Sequence, residues 1–193
     1  AQGYTLYLCL NGRVLTGSIT VNGTLELCNC KGRGDVSSTG SAIIVNGTLN
    51  YYNGMLKGGT GDNVPLYVNK DGIVNLYRAL HISTSDANAR DYEIRGNSPG
   101  FLRIATKLDA PHGGKPIRVN FGTDPGVSLS TYNQVTITTG WSDYMSHATP
   151  TDYFIPRSNR NAKVELDATS GELVLRRLRV TLDDDSSAIY YPK

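Results

Sequence analysis

No run of eighteen or more apolar residues occurs in this 193-residue sequence, which excludes a membrane-spanning helix and insertion into a bilayer by that route. An excess of either charge is also missing. Lysine and arginine number 19 against 17 aspartate and glutamate, so the formal charge is +2 and no long-range field favours nucleic acid or an anionic membrane. Any partner has to be recognised locally. No basic segment followed by an apolar stretch opens the chain, so an export signal or anchor is expected to have been removed or to lie outside this sequence. Histidine and cysteine are sparse. His81, His112 and His147 form no His-x-x-x-His or His-Glu arrangement, and Cys9, Cys28 and Cys30 have no histidine cluster beside them. Neither a metal site nor a cofactor is expected, and no Gly-x-Ser-x-Gly elbow marks a hydrolase nucleophile.

What is abundant points to strands. The chain has 21 Gly, 12 Tyr and 8 Pro, with Asn and Thr recurring, a composition that favours strands and tight turns over helices. The phrase "ITVNGTLELCNC" at 19–30 returns as "IIVNGTLNYYNG" at 43–54, setting Val21 over Val45, Gly23 over Gly47 and Leu25 over Leu49. "LYVNKDGIVNLYRA" supplies a third copy with an insertion between Asn69 and Gly72, and "YTLYLCLNG" an earlier half copy with Cys9 over Cys28. A repeat of roughly 19–25 residues is the length of a solenoid coil. Within each copy apolar and polar residues alternate, as in strands, and three strands broken by three turns describe a parallel β-helix. Leucine-rich repeats share the period but need a helical arm, and no amphipathic helical stretch interrupts the coils.

Stacked coils place like residues in columns. The predicted inward columns are Ile19, Ile43, Leu66; Val21, Val45, Val68; Leu6, Leu25, Leu49, Val74; and Leu8, Leu27, Tyr51, Leu76. The outward ones are Tyr7, Glu26, Asn50, Asn75 and Cys9, Cys28, Tyr52, Tyr77. From about Ser85 the repeat fades, although strand-like runs continue to "GELVLRRLRVTL", with one helical turn at "TPTDYF" capped by Thr149 and begun by Pro150. The expected organisation is coils over residues 1–85 and a divergent β-rich C-terminal cap over 86–193, continuous with the coils, because an open solenoid end exposes strand edges that must be closed.

The ordered phrases "LYLCLNGRVLTG", "ITVNGTLELCNCKGRG", "TITTGWSDYMSHATPTDYF" and "AKVELDATSGELVL" resemble the right-handed parallel β-helix domains of cell-surface and secreted proteins of Gram-positive (Firmicutes) bacteria, with pectate-lyase-like architecture. The resemblance covers most of the chain. It implies an all-β, right-handed short solenoid at the bacterial cell surface or secreted, one module among the flanking modules of a larger protein, serving in adhesion.

Enzymes of this architecture act on polysaccharides, and the residues bear on whether this chain does. A hydrolase needs two or three carboxylates converging from neighbouring coils, and a lyase needs a calcium-binding acid cluster with a basic residue. The coils offer Glu26 and Asp35, with Asp62 and Asp71 in turns, and no column pairs acids; Asp183-Asp184-Asp185 reads as a solvated tail. A non-catalytic module is expected. The candidate ligand strip is Tyr52 and Tyr77 beside Glu26, Asn50 and Asn75, since aromatic faces stack on sugars while amides and carboxylates bond hydroxyls. Tyrosines stacked in a column also serve simply to stabilise adjacent rungs. Trp141 and Tyr144 form a second aromatic candidate. Arg33-Gly34-Asp35 in an exposed turn would be an integrin-type motif. A Cys9 to Cys28 or Cys9 to Cys30 disulfide would staple the first coil and suits an extracellular protein. The function expected is adhesion or binding of a glycan or another host or cell-surface ligand. The alternatives are a purely structural stalk and, third, a polysaccharide lyase or hydrolase.

Overall fold

In the computed structural model, which describes residues 3–58, 64–84, 93–122, 133–157 and 162–178, the repeat forms a strand-rich all-β fold with three parallel sheets, compatible with a β-helix-like solenoid. The first sheet stacks Thr5–Cys9, Thr24–Cys28, Thr48–Tyr51, Ile73–Leu76, Leu102–Ile104 and Thr138–Thr139. The second stacks Val14–Thr16, Asp35–Ser37, Met55–Gly58 and His81–Thr84. The third stacks Ile19–Val21, Ile43–Val45, Leu66–Val68, Glu93–Gly96, Ile117–Phe121 and Phe154–Pro156. For the first four circuits the chain visits the three sheets in turn and returns to the first one rung further on.

The register is the one the repeat predicts. Leu6 pairs with Leu25, Leu25 with Leu49 and Leu49 with Val74; Ile19, Ile43 and Leu66 form another column, and Val21, Val45 and Val68 a third. A one-residue slip would turn every one of these side chains outward, so burial of the apolar face enforces the pairing. Leu49, Val74, Ile43, Leu66 and Val45 are fully buried, and their columns make one continuous core.

The turn phrase Val-Asn-Gly has its own physical reason. Asn46 Nδ2 donates to Asn22 Oδ1 at 2.7 Å and Asn69 Nδ2 donates to Asn46 Oδ1, so the asparagines bond coil to coil. The glycine is required by close approach: a Cβ on Gly47 would stand 2.2 Å from the Gly23 carbonyl oxygen. The insertion in the third copy is absorbed by a turn in which Gly72 N donates to Asn69 O at 3.0 Å, after which Ile73 rejoins the ladder.

Parallel pairing runs on beyond the point where the repeat fades. Ser85 itself lies outside the described residues, but Glu93–Gly96 pairs with Leu66–Val68, Leu102–Ile104 with Ile73–Leu76, and Phe154–Pro156 with Ile117–Phe121. The fading is a change in connection length while the ladders persist. What departs from the parallel rule is a three-stranded antiparallel sheet in which Leu173–Arg177 lies between Gln134–Thr136 and Ala162–Leu166. Two short helices, Trp141–Met145 and Pro150–Tyr153, occupy the same stretch of chain. The second falls where "TPTDYF" predicts it, with Thr149 at the N-cap position but without a side-chain cap bond. The first has no counterpart among the predicted elements. No helix among the described residues is long and apolar enough to cross a membrane.

The side chains of the strand Thr5–Cys9 are mostly exposed. Leu6 is 60% exposed although Leu49, two rungs along the same column, is 0% exposed. Leu49→Ala is therefore expected to lower the unfolding free energy by about 2–5 kcal/mol, whereas Leu6→Ala should change it by about 0.5 kcal/mol or less. Urea denaturation of the two variants checks the column assignment, and equal losses would contradict it.

Candidate ligand cleft beside the tyrosine stack

On the outer face of the first sheet, Glu26, Asn50, Asn75 and Arg103 stand in one register column. Asn50 Nδ2 donates to Glu26 Oε1 at 2.5 Å, and Asn75 Nδ2 donates to Asn50 Oδ1 at 2.6 Å. Each amide spends its donor toward the N-terminal coil. The series ends on Asn75 Oδ1, which is buried and has no hydrogen-bond partner among the described residues. The next side chain, Arg103, is exposed and can only donate.

A second column lies one residue past each strand, where Tyr52 N donates to Leu27 O, Tyr77 N to Tyr51 O and Ala105 N to Leu76 O. The Tyr52 and Tyr77 rings stack with centroids 4.4 Å apart and planes 13° from parallel. Loss of water around the Tyr52 phenol, followed by its hydrogen bond to the Glu26 carboxylate and the neighbouring Tyr77, pushes its pKa up to about 12. Tyr51, which points inward, is also raised, by burial; its hydroxyl donates to Gly54 O and accepts from His81 N. Ala105 follows Tyr77 in the column and has no ring to cover its far side. There a cleft of about 650 Å³ opens, lined by Asn75, Tyr77, Arg103, Asp143 and Tyr144 among others.

The helix Trp141–Met145 brings Asp143 and Tyr144 to that cleft. Trp141 and Met145, one turn apart, are buried and hold the helix against the core, which leaves Ser142, Asp143 and Tyr144 outward. The helix start is clamped by Glu172, whose Oε1 accepts from Gly140 N at 2.7 Å and whose Oε2 accepts from Trp141 N at 3.0 Å and from Thr138 Oγ1 at 3.1 Å. Acidic groups belong at helix starts, where amide hydrogens lack helical partners. Sequence reasoning missed Glu172 because it lies 31 residues from Trp141 and carries no local motif.

The structure places the predicted site residues unequally. Tyr77, Asn75 and Tyr144 meet at one cleft, while Tyr52, Asn50 and Glu26 lie behind them along the columns. Trp141 has to be corrected: it is 1% exposed, with its ring edge-on to Tyr153 at 5.7 Å and to Phe154 at 6.3 Å, because the inward stripe of its helix falls on positions 141 and 145. The Arg33-Gly34-Asp35 motif is corrected as well. Asp35 begins the strand Asp35–Ser37, is 6% exposed and is ion-paired with Lys57, so only Arg33 projects into solvent. Cys28 is not the partner of Cys9. The disulfide joins Cys9 to Cys30, with Cα atoms 6.4 Å apart, and Cys28 remains a thiol. In-register side chains on adjacent parallel strands project side by side, and Cys30, past the strand end, is the one that reaches across. Tyr67 stands apart in the third sheet, where its hydroxyl accepts from Asn97 Nδ2 at 2.9 Å. Asp62 and Asp183-Asp184-Asp185 lie outside the described residues.

Comparison with protein-family models, with curated proteins and with solved structures finds no match to this chain.

Two outcomes follow from this geometry. Glu172→Ala removes a charged acceptor of three hydrogen bonds and should lower stability by about 2 kcal/mol or more, with Glu172→Gln recovering part of the loss in the same denaturation assay. For Tyr52, a pKa raised above the ordinary 10 means that its contribution to stability is present below pH 10 and lost as pH rises through about 12. Phenolate absorbance, taken as the difference between the parent protein and Tyr52→Phe, should show Tyr52 ionising near 12. In Glu26→Gln the transition should move down yet stay above 10; an unchanged transition would mean that Glu26 does not contact the phenol.

Proposed function

We propose that this chain is a right-handed parallel β-helix module of an extracellular, surface-attached or secreted protein of the Gram-positive type that its four ordered phrases resemble, and that it binds a glycan without turning it over. The observation that carries the reading is the cleft beyond Tyr77. Its volume of about 650 Å³ falls within the roughly 300–1,000 Å³ of small-ligand sites. Tyr77 and Tyr144 give it aromatic surface on which the apolar face of a sugar ring can stack. Arg103 supplies donors and Asp143 acceptors for hydroxyls, and the unsatisfied Asn75 Oδ1 marks the same wall. Among the described lining residues Asp143 is the one carboxylate, whereas glycoside hydrolysis uses two.

A specific observation favours a second reading, a structural stalk. Tyr52 and Tyr77 cover each other's faces, and Glu26, Asn50 and Asn75 bond to one another, so much of the predicted strip is occupied in joining rungs. In the binding reading these residues form the support, and Tyr77's free side, Tyr144 and Arg103 make the contacts.

A glycan array followed by calorimetry on any hit separates the two. Tyr77→Ala, Tyr144→Ala and Arg103→Ala should each weaken binding by about tenfold or more, and Tyr7→Ala, on the exposed first coil, should leave it unchanged. Absence of any saturable hit across a broad panel of neutral and acidic glycans would leave the stalk. Appearance of new reducing ends or unsaturated uronates during incubation would replace binding with catalysis.

A further inference from the structure

Cys9 and Cys28 are register partners at the ends of the first two strands of the first sheet, and Cys30 follows two residues later. All three Sγ atoms lie within 4.8 Å of one another. Cys9 and Cys30 are exposed and Cys28 is half-buried, so the group is open to solvent. The corner that presents Cys30 is held by bonds that involve no sulfur. Asn29 Oδ1 accepts from Gly12 N at 2.8 Å, Asn29 Nδ2 donates to Gly32 O at 2.9 Å, and Asn29 N donates to Asn53 Oδ1. Leu10 N donates to Cys28 O at 2.9 Å, which fixes the exit of the first strand against the second. Gly12, at φ 75°, lets the two successive turns touch: a Cβ there would stand 2.7 Å from Lys31 O.

Opening the disulfide therefore leaves three thiols where the backbone has placed them. Thiolates around a zinc-like ion sit at about 2.3 Å from the metal, which puts the sulfurs about 3.8 Å from one another. That separation is inside the span these three atoms already occupy. We infer that reduction of the Cys9–Cys30 bond converts this corner into a three-thiolate site for a soft metal ion of the class of Zn²⁺, Cu⁺ or Cd²⁺. An external phosphine or dithiol supplies the two electrons that turn the sulfur–sulfur bond into two thiols, and is itself oxidised. The ion then displaces the three thiol protons and takes the sulfurs as ligands. The sequence expectation of no metal site rested on the missing histidines, but coil stacking makes a cluster from cysteines alone.

The test is a titration with Cd²⁺ after reduction by tris(2-carboxyethyl)phosphine and anaerobic removal of the reductant, followed by thiolate-to-metal charge-transfer absorbance. Non-reduced protein and Cys28→Ser, which keeps the disulfide pair, are measured alongside. Reduced parent protein should saturate at about one equivalent and the oxidised protein should show no band. Reduced Cys28→Ser should bind roughly tenfold more weakly or worse. Equal binding by Cys28→Ser or by the oxidised chain overturns the inference. So does loss of the far-ultraviolet strand signal on reduction, because the thiols would then no longer be held together by the fold.

Discussion

In the three parallel sheets each strand bonds its backbone to the strand before it in register, and that constraint stacks side chains over their own counterparts at the strand spacing of about 4.8 Å. Apolar columns accept such repetition, since Leu over Leu is simply core. Polar columns do not, unless the repeated side chain can both give and take a hydrogen bond. Asparagine can, and among the described residues its amides bond side chain to side chain along Asn22, Asn46, Asn69 at the turn and along Asn50, Asn75 on the outer face. The outer column has a direction. Glu26, which only accepts, begins the hydrogen-bonded series after Tyr7, the amides hand their donors toward it, and Arg103, which only donates, follows the orphaned acceptor of Asn75.

Chemistry collects where these columns end. The tyrosine column stops at Ala105 and the asparagine column at Arg103, both on the rung that precedes the helix Trp141–Met145. A missing ring on one column and an unmatched charge on the next leave a cleft, and the helix closes its far wall with Tyr144 and Asp143. The position of that wall depends on the antiparallel sheet, because Glu172, just ahead of the strand Leu173–Arg177, reaches back to the helix start. The irregular end of the molecule thus shapes a site that the regular coils could not make by repetition.

The regular part was legible because alternation and repeat length are local signals with one physical solution. Val-Asn-Gly-Thr-Leu written twice sets both the turn and the inward leucine, and a wrong register would have exposed the whole face. The features that escaped depend on contacts between segments far apart in sequence. Asp35 looks like a turn residue until Val14–Thr16 and Met55–Gly58 flank it as strands and Lys57 arrives to pair with it. Trp141 looks like a surface aromatic until Tyr153 and Phe154 fold against it. Parallel pairing beyond the faded repeat was hidden because only connection lengths change there, while the Leu102 and Ile104 positions still fall on the same inward columns.

The column at the ends of the strands of the first sheet reads Cys9 and Cys28, the last residues of their strands, and then Tyr52, Tyr77 and Ala105, each one residue past its strand. It sits where the chain bends toward the second sheet, outside the inward packing that fixes Leu27, Tyr51 and Leu76. Freed from the core, these positions differ from coil to coil, from sulfur through aromatic rings to a methyl, while the strands beside them keep their pattern. Their identities are nevertheless coupled, because each side chain forms part of the surroundings of the next. Tyr52 stacks on Tyr77 and its phenol bonds the Glu26 carboxylate, and Tyr77 borders the cleft because Ala105 is small. A change at one rung therefore alters the environment of the rungs on either side, which is how a surface made of repeats comes to carry a single site.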